Sequence, residues 1–362
     1  MSSKSRVIAG LSGGVDSSVA AYLLLKQGYN VEALFMKNWD EDDEDEYCSA
    51  SEDLADAQQV SDELGIKLHT VNFSHEYWED VFEHFLAEHK KGRTPNPDVL
   101  CNQRIKFKAF LDYAKDLGAT KIATGHYARI SEENGKYLLK AGIDGNKDQS
   151  YFLHLLNQDQ LSQSLFPLGE INKKEVREIA KNNHFITADK KDSTGICFIG
   201  ERPFSEFLTT FLPKEKGDII DQDGAFIKHH HGLPFYTIGQ RKGLEIGGGY
   251  GHSQEPWFVA DKLTESNQIV AVQGDHQLLY HDSLVADDVH WIDDEPEMPM
   301  RCSAKIRYRQ ASQDCTVSAG ENQTIKVFFK DSQRAITPGQ SVVFYDGERC
   351  LGGSVIKSRY NE

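Results

Sequence analysis

The chain has 362 residues, with 40 Lys and Arg against 56 Asp and Glu, and so a formal net charge of −16. This length predicts two or three domains, and no run of about 18 apolar residues is present that could span a membrane. The negative balance argues against a nucleic-acid binder, because phosphate contacts need local positive charge. Six widely spaced cysteines and an N-terminal segment without an apolar signal core predict a protein of the reducing cytoplasm.

Strand-like and helix-like segments alternate through the first 203 residues. Val7–Leu11 predicts a buried strand, followed by a Gly-rich turn and a helix over Ser17–Lys26. The later elements are predicted strands at Val31–Met36, Leu68–Phe73 and Lys121–Thr124, and helices around 54–64, 78–85 and 107–111. This alternation predicts a parallel sheet with both faces covered, and ligands then bind beyond the carboxyl ends of its strands.

The pattern changes after residue 203, where Gly, His and Pro become frequent and helical periodicity fades. Short β segments separated by turn signals follow from about residue 284, at 303–308, 324–329, 341–345 and 352–356. We therefore predict an α/β fold: a parallel-sheet nucleotide-binding domain at 1–203, a small mixed central domain at 204–283 and an antiparallel β-barrel at 284–362.

The charge is distributed unevenly along the chain. Asp40–Glu46 is an unbroken acidic run, which predicts a solvated loop; metal binding is the alternative, but the glycine turn of a calcium loop is missing. Two segments are basic, with local charges of +5 over 89–108 and +4 over 298–362. The three adjacent histidines at 229–231 could suggest a metal site, but three neighbours cannot all face one ion, so we expect a loop there.

The Gly-rich turn Ser12-Gly13-Gly14-Val15-Asp16-Ser17 follows a strand and opens a helix. Backbone N–H groups in such a turn, together with the positive end of the helix dipole, form an anion site that a phosphate can occupy. It is not a Walker loop, since the Gly-Lys-Ser/Thr ending is absent. An ordinary Gly-rich turn with Ser17 near the helix N-cap is the alternative interpretation.

Two cysteines stand among turn-forming and cationic residues. Cys101 follows Asn96-Pro97-Asp98, and the prolines predict that it lies on a loop; Cys197 lies in Lys190–Gly200. The nearby cations favour a reactive pair, whereas buried inert thiols are the alternative and the interpretation we give to the other four cysteines.

The Gly-rich turn resembles the pyrophosphate loop of N-type ATP pyrophosphatases, and the two cysteine segments make the resemblance specific to the tRNA 2-thiouridylases. The matching stretches are 10–17, 96–102, 123–127, 147–152, 192–200, 236–244 and 305–309. They span nearly the whole chain in order. The sequence departs from the family pattern in two places. One is the acidic run after Trp39, and the other is Glu245, where a small residue is expected. Neither departure changes a motif residue.

The resemblance implies adenylation of uracil O2 by ATP with release of pyrophosphate, and Mg²⁺ as cofactor. The residues it assigns to ATP are Gly10, Leu11, Ser12, Gly13, Gly14, Val15, Asp16, Ser17, Met36 and Gly125, with Asp16 also proposed as the Mg²⁺ ligand. Cys197 would carry the sulfur as a persulfide, Cys101 would be the second catalytic thiol, and a Cys101–Cys197 disulfide would follow sulfur release. Asp98 would act as acid or base; an Asx-turn is its structural alternative.

The resemblance further implies that tRNA is bound through its wobble uridine. The implied tRNA contacts are Asn96, Pro97, Asp98, His126, Lys147, Asp148, Gln149, Arg307, Tyr308 and Gln340. No sulfur-donor domain is evident, so an external persulfide carrier protein would load Cys197, and a monomer is expected. Three alternatives remain: a synthetase that adenylates without sulfur transfer, an RNA-binding module with a degenerate nucleotide site, and an iron–sulfur cluster held by Cys101, Cys197 and Asp98.

Overall fold

The first strand–turn–helix unit consists of β1 (Arg6–Gly10) and α1 (Val15–Lys26). The computed structural model describes residues 5–40, 49–192, 203–247 and 255–362. The three central residues of β1 are buried from both sides, which explains their uninterrupted apolar sequence. Gly28 has φ +86°, a left-handed conformation that glycine adopts without steric cost just past a helix end.

Five parallel strands form the sheet of the first region, in the order β3-β2-β1-β4-β7. The strands that follow β1 are β2 (Asn30–Lys37), β3 (Leu68–Asn72), β4 (Lys121–Ala123), the hairpin β5 (Ala128–Glu133) and β6 (Lys136–Ala141), and β7 (Ser164–Leu165). The predicted parallel sheet is confirmed. The chain proceeds from β1 to one side through β2 and later returns to the other side at β4, so the carboxyl end of β1 is the switch point at which ligands bind in such sheets.

Helices cover both faces of this sheet. They are α2 (Ser49–Leu64), α3 (Ser74–Tyr77) with a π-helical turn (Trp78–Phe82) leading into α4 (Glu83–Lys90), α5 (Pro97–Leu100) with a π-helix (Cys101–Ala109) leading into α6 (Phe110–Asp116), α7 (Gln158–Ser162) and α8 (Lys173–Asn182). Shorter 3₁₀ turns lie at Ser150–Leu153 and Ile186–Asp189. Across the part of the chain that the structure describes, no helix is long and apolar enough to cross a bilayer.

The prediction that Cys101 lies on a loop is wrong. Asn96 caps α5, its Oδ1 accepting a hydrogen bond from the Asp98 N–H at 3.2 Å. Pro97 occupies the first helical position, where the missing N–H is not needed. The proline therefore begins the helix rather than preventing it, and Cys101 lies at the point where α5 widens into a π-helix, a feature common at functional sites.

Of the acidic run, residues 41–46 lie outside the described residues. Asp40 itself forms an ion pair with Lys37 at 2.7 Å and accepts hydrogen bonds from Asn72 and Ser74. These contacts, that of Lys37 first, hold the pKa of Asp40 at about 2. The start of the run is thus bound to the carboxyl ends of β2 and β3.

The described part of the central region contains one α-helix and a four-stranded sheet. Its elements are α9 (Phe204–Phe211), β8 (Gly217–Ile220), β9 (Phe226–His230), β10 (Trp257–Leu263) and β11 (Gln268–Gln273), and the strand order is β10-β11-β8-β9. The predicted loop at the three histidines is wrong, because His229 and His230 lie on β9. The exposed His229 contacts Asp218, whereas the buried His230 bonds to the Asn267 carbonyl and the Gly232 N–H, so alternation along the strand separates them.

Six antiparallel strands close into a barrel in the C-terminal region, confirming the predicted barrel. They are β12 (Tyr280–Trp291), β13 (Met300–Lys305), β14 (Gln313–Ala319), β15 (Ile325–Arg334), β16 (Ser341–Asp346) and β17 (Arg349–Tyr360). They follow the order β12-β15-β14-β13-β16-β17, and β17 pairs back with β12. Hairpin β5–β6 extends the same sheet, since β6 pairs with β17. The predicted strand at 303–308 is too long: β13 ends at Lys305, and Arg307 and Tyr308 lie in the turn that follows.

Candidate active site

The Gly-rich turn lies between β1 and α1 at the switch point of the sheet. Its own side chains hold its shape: Ser17 Oγ accepts from the Ser12 N–H at 3.1 Å and donates to the Gly14 carbonyl at 3.0 Å. Ser18 Oγ donates to the same carbonyl at 2.9 Å. The hydroxyl groups of Ser17 and Ser18 thus bond within the loop. The N-terminal backbone N–H groups and the dipole of α1 are directed at the space in front of the loop, as a phosphate site requires.

Neighbouring segments press closely on this loop. Gly13 has φ +68°, and a Cβ there would lie 2.4 Å from the Asp53 carbonyl oxygen of α2. Gly125, after β4, approaches the start of α1 so closely that a Cβ would lie 3.0 Å from the Ser17 nitrogen. Met36 lies near the end of the neighbouring strand β2, close to Gly10. A Cβ added to Gly10 would lie 3.7 Å from the Met36 Cε.

Replacing Gly13 with alanine is expected to lower the free energy of unfolding by about 1–3 kcal/mol, because a side chain in the left-handed region is strained and the backbone of Asp53 leaves it no room. Gly14→Ala is the matched control. Gly14 has φ −103°, and a Cβ there meets only Ser12 Oγ at 3.6 Å. Urea unfolding measures the free energy of unfolding of both variants. Equal losses in the two variants would show that the close approach of Asp53 is not the reason that position 13 requires glycine.

Asp16, on the first turn of α1, connects the loop to α8. The Lys173 ammonium group lies 2.8 Å from each oxygen of the Asp16 carboxylate, and the Tyr127 hydroxyl donates to Oδ1 at 2.7 Å. Burial, and next the charge of Asp16, raise the pKa of Tyr127 well above its ordinary value, so the phenol stays protonated as a donor. About a third of the Asp16 side chain is exposed. An accessible carboxylate beside a phosphate loop fits the way proteins hold Mg²⁺.

Lys173 also contacts a second carboxylate, Asp192, at 2.7 Å. Lys147 and Arg177 each lie 2.8 Å from Asp192. Burial alone would raise the pKa of Asp192, but hydrogen bonds from Lys147 and Lys173 outweigh it and hold the pKa at about 2. Lys173 therefore joins the Gly-rich loop to the chain that leads into the second cysteine segment.

That segment is also held from the α2 side, where Lys190 binds Asp53 at 2.7 Å and contacts Asp56. Residues 193–202, and with them Cys197, lie outside the described residues. Asp192 precedes Cys197 by five residues. Lys190 and Asp192, at the start of the segment, are thus both bound to elements that contact the Gly-rich loop.

Cys101 is buried in the main apolar cluster at the start of the π-helix. Its neighbour Asn102 donates to the Phe152 carbonyl at 3.3 Å, which attaches the π-helix to the chain that follows Lys147–Gln149. His126 is also buried and bonds to Thr124 at 2.7 Å; burial, and next the charge of Lys106, place its pKa well below the ordinary value, so the ring is neutral. Of the cations that the sequence places near Cys101, Lys106 acts on the neighbouring groups His126 and Asp98.

Burial raises the pKa of Asp98, and the charge of Lys106 opposes this. A carboxyl with a raised folded-state pKa stabilises the fold below its unfolded pKa, here 3.8, and that contribution is lost as the pH rises through the folded-state pKa. Asp98→Asn is therefore expected to flatten the fall in the free energy of unfolding above pH 3.8, and Lys106→Met to extend that fall to higher pH. Asp112→Asn, at an exposed site on α6, is the control. If the free energy of unfolding varied with pH in the same way for the wild type and Asp98→Asn, a raised pKa of Asp98 would be contradicted.

The implied tRNA contacts make internal bonds in this structure. Asp148 is buried and binds Lys305 at 3.0 Å, and Gln149 accepts from the Tyr127 N–H at 3.0 Å. Arg307 donates to the carbonyls of Ala335 and Ile238, which joins the barrel to the central region. Two further implied contacts also bridge regions: the Tyr308 hydroxyl donates to the Lys147 carbonyl at 3.3 Å and Gln340 to the Thr94 carbonyl at 2.7 Å. Asp148, Arg307, Tyr308 and Gln340 therefore make contacts between regions, whereas the Gln149 contact stays within the first region.

Comparison with known proteins decides the family. Three family models match in succession: the HUP domain of tRNA methyl transferase over residues 5–201, the PRC-barrel domain of tRNA methyl transferase over 205–273, and the aminomethyltransferase β-barrel domain over 281–356. The tRNA-specific 2-thiouridylase MnmA of Ruthia magnifica subsp. Calyptogena magnifica is 68% identical over 359 residues, covering 99% of both chains. That of Aeromonas salmonicida is 58% identical over 361 residues, covering 99% of this chain and 98% of the relative. The chain belongs to the tRNA-specific 2-thiouridylase family.

Two solved structures match part of this member of the 2-thiouridylase family. A 4-thiouridine synthetase–RNA complex with bound ATP is matched at a TM-score of 0.34 and 18% identity, over 57% of this chain and 49% of that one. An NMN synthetase from Francisella tularensis is matched at 0.34 and 21%, over 57% and 72%.

The site of this 2-thiouridylase family member contains residues that the sequence did not single out, above all Lys173 and Tyr127. Asn172 and Glu175 form a capping box around the start of α8, which predicts a helix N-terminus but not the direction of the Lys173 side chain. Asp16 and Lys173 are separated by 157 positions. No local pattern connects residues that far apart.

Proposed function

We propose that this protein 2-thiolates a tRNA uridine with ATP at the site built from the Gly-rich loop, Cys101 and the segment that carries Cys197. The activity is the one for which its full-length relatives are named. The observation that carries the assignment of the site is Lys173, which lies within 2.8 Å of both Asp16 and Asp192. It connects the loop suited to the ATP phosphates with the chain that leads to the proposed sulfur carrier.

Activation of the base requires ATP because O2 of uracil is a poor leaving group. Uracil O2 attacks the α-phosphorus of ATP, and pyrophosphate leaves. The N–H groups of residues 13–17 and the α1 dipole would bind the departing phosphates, and Met36 would contact the adenine. Mg²⁺, held by Asp16 and the phosphates, would neutralise part of their charge. Lys173 would exchange its contact with Asp16 for one with a phosphate oxygen.

Sulfur transfer follows at C2 of the adenylated uracil. The terminal sulfur of a Cys197 persulfide attacks C2, and AMP leaves with the original oxygen. Cys101 then loses its proton and attacks Cys197 Sγ, which leaves the sulfur on C2 and forms a Cys101–Cys197 disulfide. An external reductant restores the thiols, and an external persulfide carrier reloads Cys197. Asp98, whose pKa is raised by burial, would supply or accept protons near the base.

The wobble uridine would be turned out of the anticodon stack, because C2 is inaccessible within it. Asn96–Asp98 and His126 would surround the base, with Lys147–Gln149, Arg307, Tyr308 and Gln340 arranged at the junctions between regions. We expect a monomer that works in the cytoplasm. The two basic segments, 89–108 and 298–362, would supply the phosphate contacts that the overall charge of −16 disfavours elsewhere.

Nucleoside analysis of tRNA incubated with the protein, ATP, Mg²⁺ and a competent persulfide donor tests the proposal. The expected product is 2-thiouridine, with one AMP and one pyrophosphate released per sulfur. Pyrophosphate release without thiolated product would favour a synthetase that adenylates without sulfur transfer. The absence of both products would favour an RNA-binding module.

A further inference from the structure

Two cysteines that the proposed reaction does not use face each other across the barrel strands β13 and β14. Cys302 and Cys315 are direct partners in the antiparallel register, and their Sγ atoms are 3.6 Å apart. Both are thiols in this structure. The sequence gives no sign of this pairing, because thirteen positions and a turn separate the two residues.

The backbone already satisfies the requirements of a disulfide. Directly opposed residues of an antiparallel pair have Cα atoms about 4.5–5.5 Å apart, within the roughly 4.4–6.8 Å range of disulfides. Only the sulfur atoms must approach, from 3.6 Å to a bond length of about 2.05 Å. Rotation about the two Cα–Cβ bonds is the motion that would bring the sulfur atoms together.

The two thiols differ in their access to solvent. Cys315 is buried against the barrel core, with 6% of its surface exposed, whereas Cys302 is only partly buried. The hydrogen bond with Cys302, and next burial, raise the pKa of Cys315 far above its ordinary value. An external oxidant therefore meets Cys302 first, and Cys315 is placed to react only with its neighbour.

We propose that Cys302 and Cys315 are a modification site at which small-molecule disulfides reversibly form a cross-strand disulfide. The Cys302 thiolate attacks one sulfur of the small disulfide, whose S–S bond breaks; a mixed disulfide forms and one small thiol leaves with the proton lost by Cys302. Cys315 then loses its proton and attacks Cys302 Sγ, which expels the second small thiol. The two protein thiols are oxidised, and one small disulfide is reduced to two thiols.

The modification would act on the part of the barrel next to the proposed tRNA contacts. β13 continues into the turn that carries Arg307 and Tyr308, and β14 begins after that turn. A covalent bond between the strands would fix the base of this turn. The proposal itself does not depend on the thiolation reaction, because the bond can be detected chemically.

The test incubates the reduced full-length protein with oxidised glutathione, blocks the remaining thiols with N-ethylmaleimide and digests with trypsin without reduction. Cleavage after Arg301, Lys305, Arg309 and Lys326 places the cysteines in peptides 302–305 and 310–326. These two peptides are expected as a linked pair that a phosphine separates. Cys302→Ser is expected to lose the linked pair completely, and Cys302→Ala gives the same readout should the serine variant misfold.

A Cys101→Ser/Cys350→Ser variant is expected to form the linked pair as fully as the wild type, because neither residue belongs to the barrel pair. The chain unfolded in urea shows that the oxidant is competent. The proposal is overturned if Cys302 in the folded protein carries glutathione while Cys315 remains a thiol. It is equally overturned if neither cysteine reacts under conditions that oxidise the unfolded chain.

Discussion

Replacing Cys101 with serine is expected to lower 2-thiouridine formation by more than about 10³-fold, the scale on which loss of a catalytic nucleophile acts. A hydroxyl cannot attack Cys197 Sγ to release the sulfur, so turnover stops after C2 has been attacked. The fold should tolerate the change, since serine is close to cysteine in size. Liquid chromatography of nucleosides from treated tRNA measures the product, and circular dichroism measures the fold.

Cys350→Ser is the matched control for this prediction. Cys350 is as deeply buried as Cys101 and belongs to the same apolar cluster, and burial raises its pKa to about 12, so it stays a thiol at neutral pH. Its serine variant is expected to thiolate at nearly the wild-type rate. If Cys101→Ser lost no more activity than Cys350→Ser, Cys101 would be a packing residue and the disulfide step would be wrong.

Lys173→Met is expected to slow tRNA-dependent pyrophosphate release by about 10²–10³-fold, the usual cost of removing one positioned group that stabilises transition-state charge. Methionine keeps the length and apolar stem of lysine but removes the charge. Without the ammonium group, Asp16 and Asp192 also lose their shared cation. A coupled assay of pyrophosphate at saturating ATP and tRNA separates this loss of kcat from a change in ATP affinity.

The neighbouring lysine provides a close control. Lys174 lies one position along α8, but its side chain is 86% exposed and its only described ion pair is with Glu178 at 3.8 Å. Lys174→Met is expected to retain the wild-type rate within about twofold, as is usual for an exposed surface pair. Equal rates for the two variants would show that the contact of Lys173 with the loop is incidental.

The sequence predicts the sheet and the Gly-rich loop because each of these features depends on residues that are close together in the chain. An apolar run gives a buried strand, and glycines between a strand and a helix give the turn. The loop prediction for Cys101 is wrong because a proline stops a helix only in its interior, whereas Asn96 and Pro97 together begin one. His229 and His230 were placed wrongly because their strand is stabilised by pairing with β8, which a single segment does not reveal.

The charged contacts around Asp192 could not be predicted from the sequence. Lys147 and two residues of α8, Lys173 and Arg177, bind one carboxylate, and only the fold brings these two segments to Asp192. The same holds for hairpin β5–β6, which follows β4 in the chain but pairs with the barrel. Partner choice in a sheet depends on which edge is free when the fold is complete.

The last strand, β17, completes three pairings: with β12, with β16 and, through Arg349 and Cys350, with β6 of the distant hairpin. During synthesis, some two hundred further residues must therefore be added after β6 before its partner strand β17 leaves the ribosome. An unpaired strand edge is a template for wrong association. Premature termination before residue 349 would leave the barrel open and this hairpin edge bare, so a truncated chain is expected to aggregate rather than yield a working N-terminal fragment.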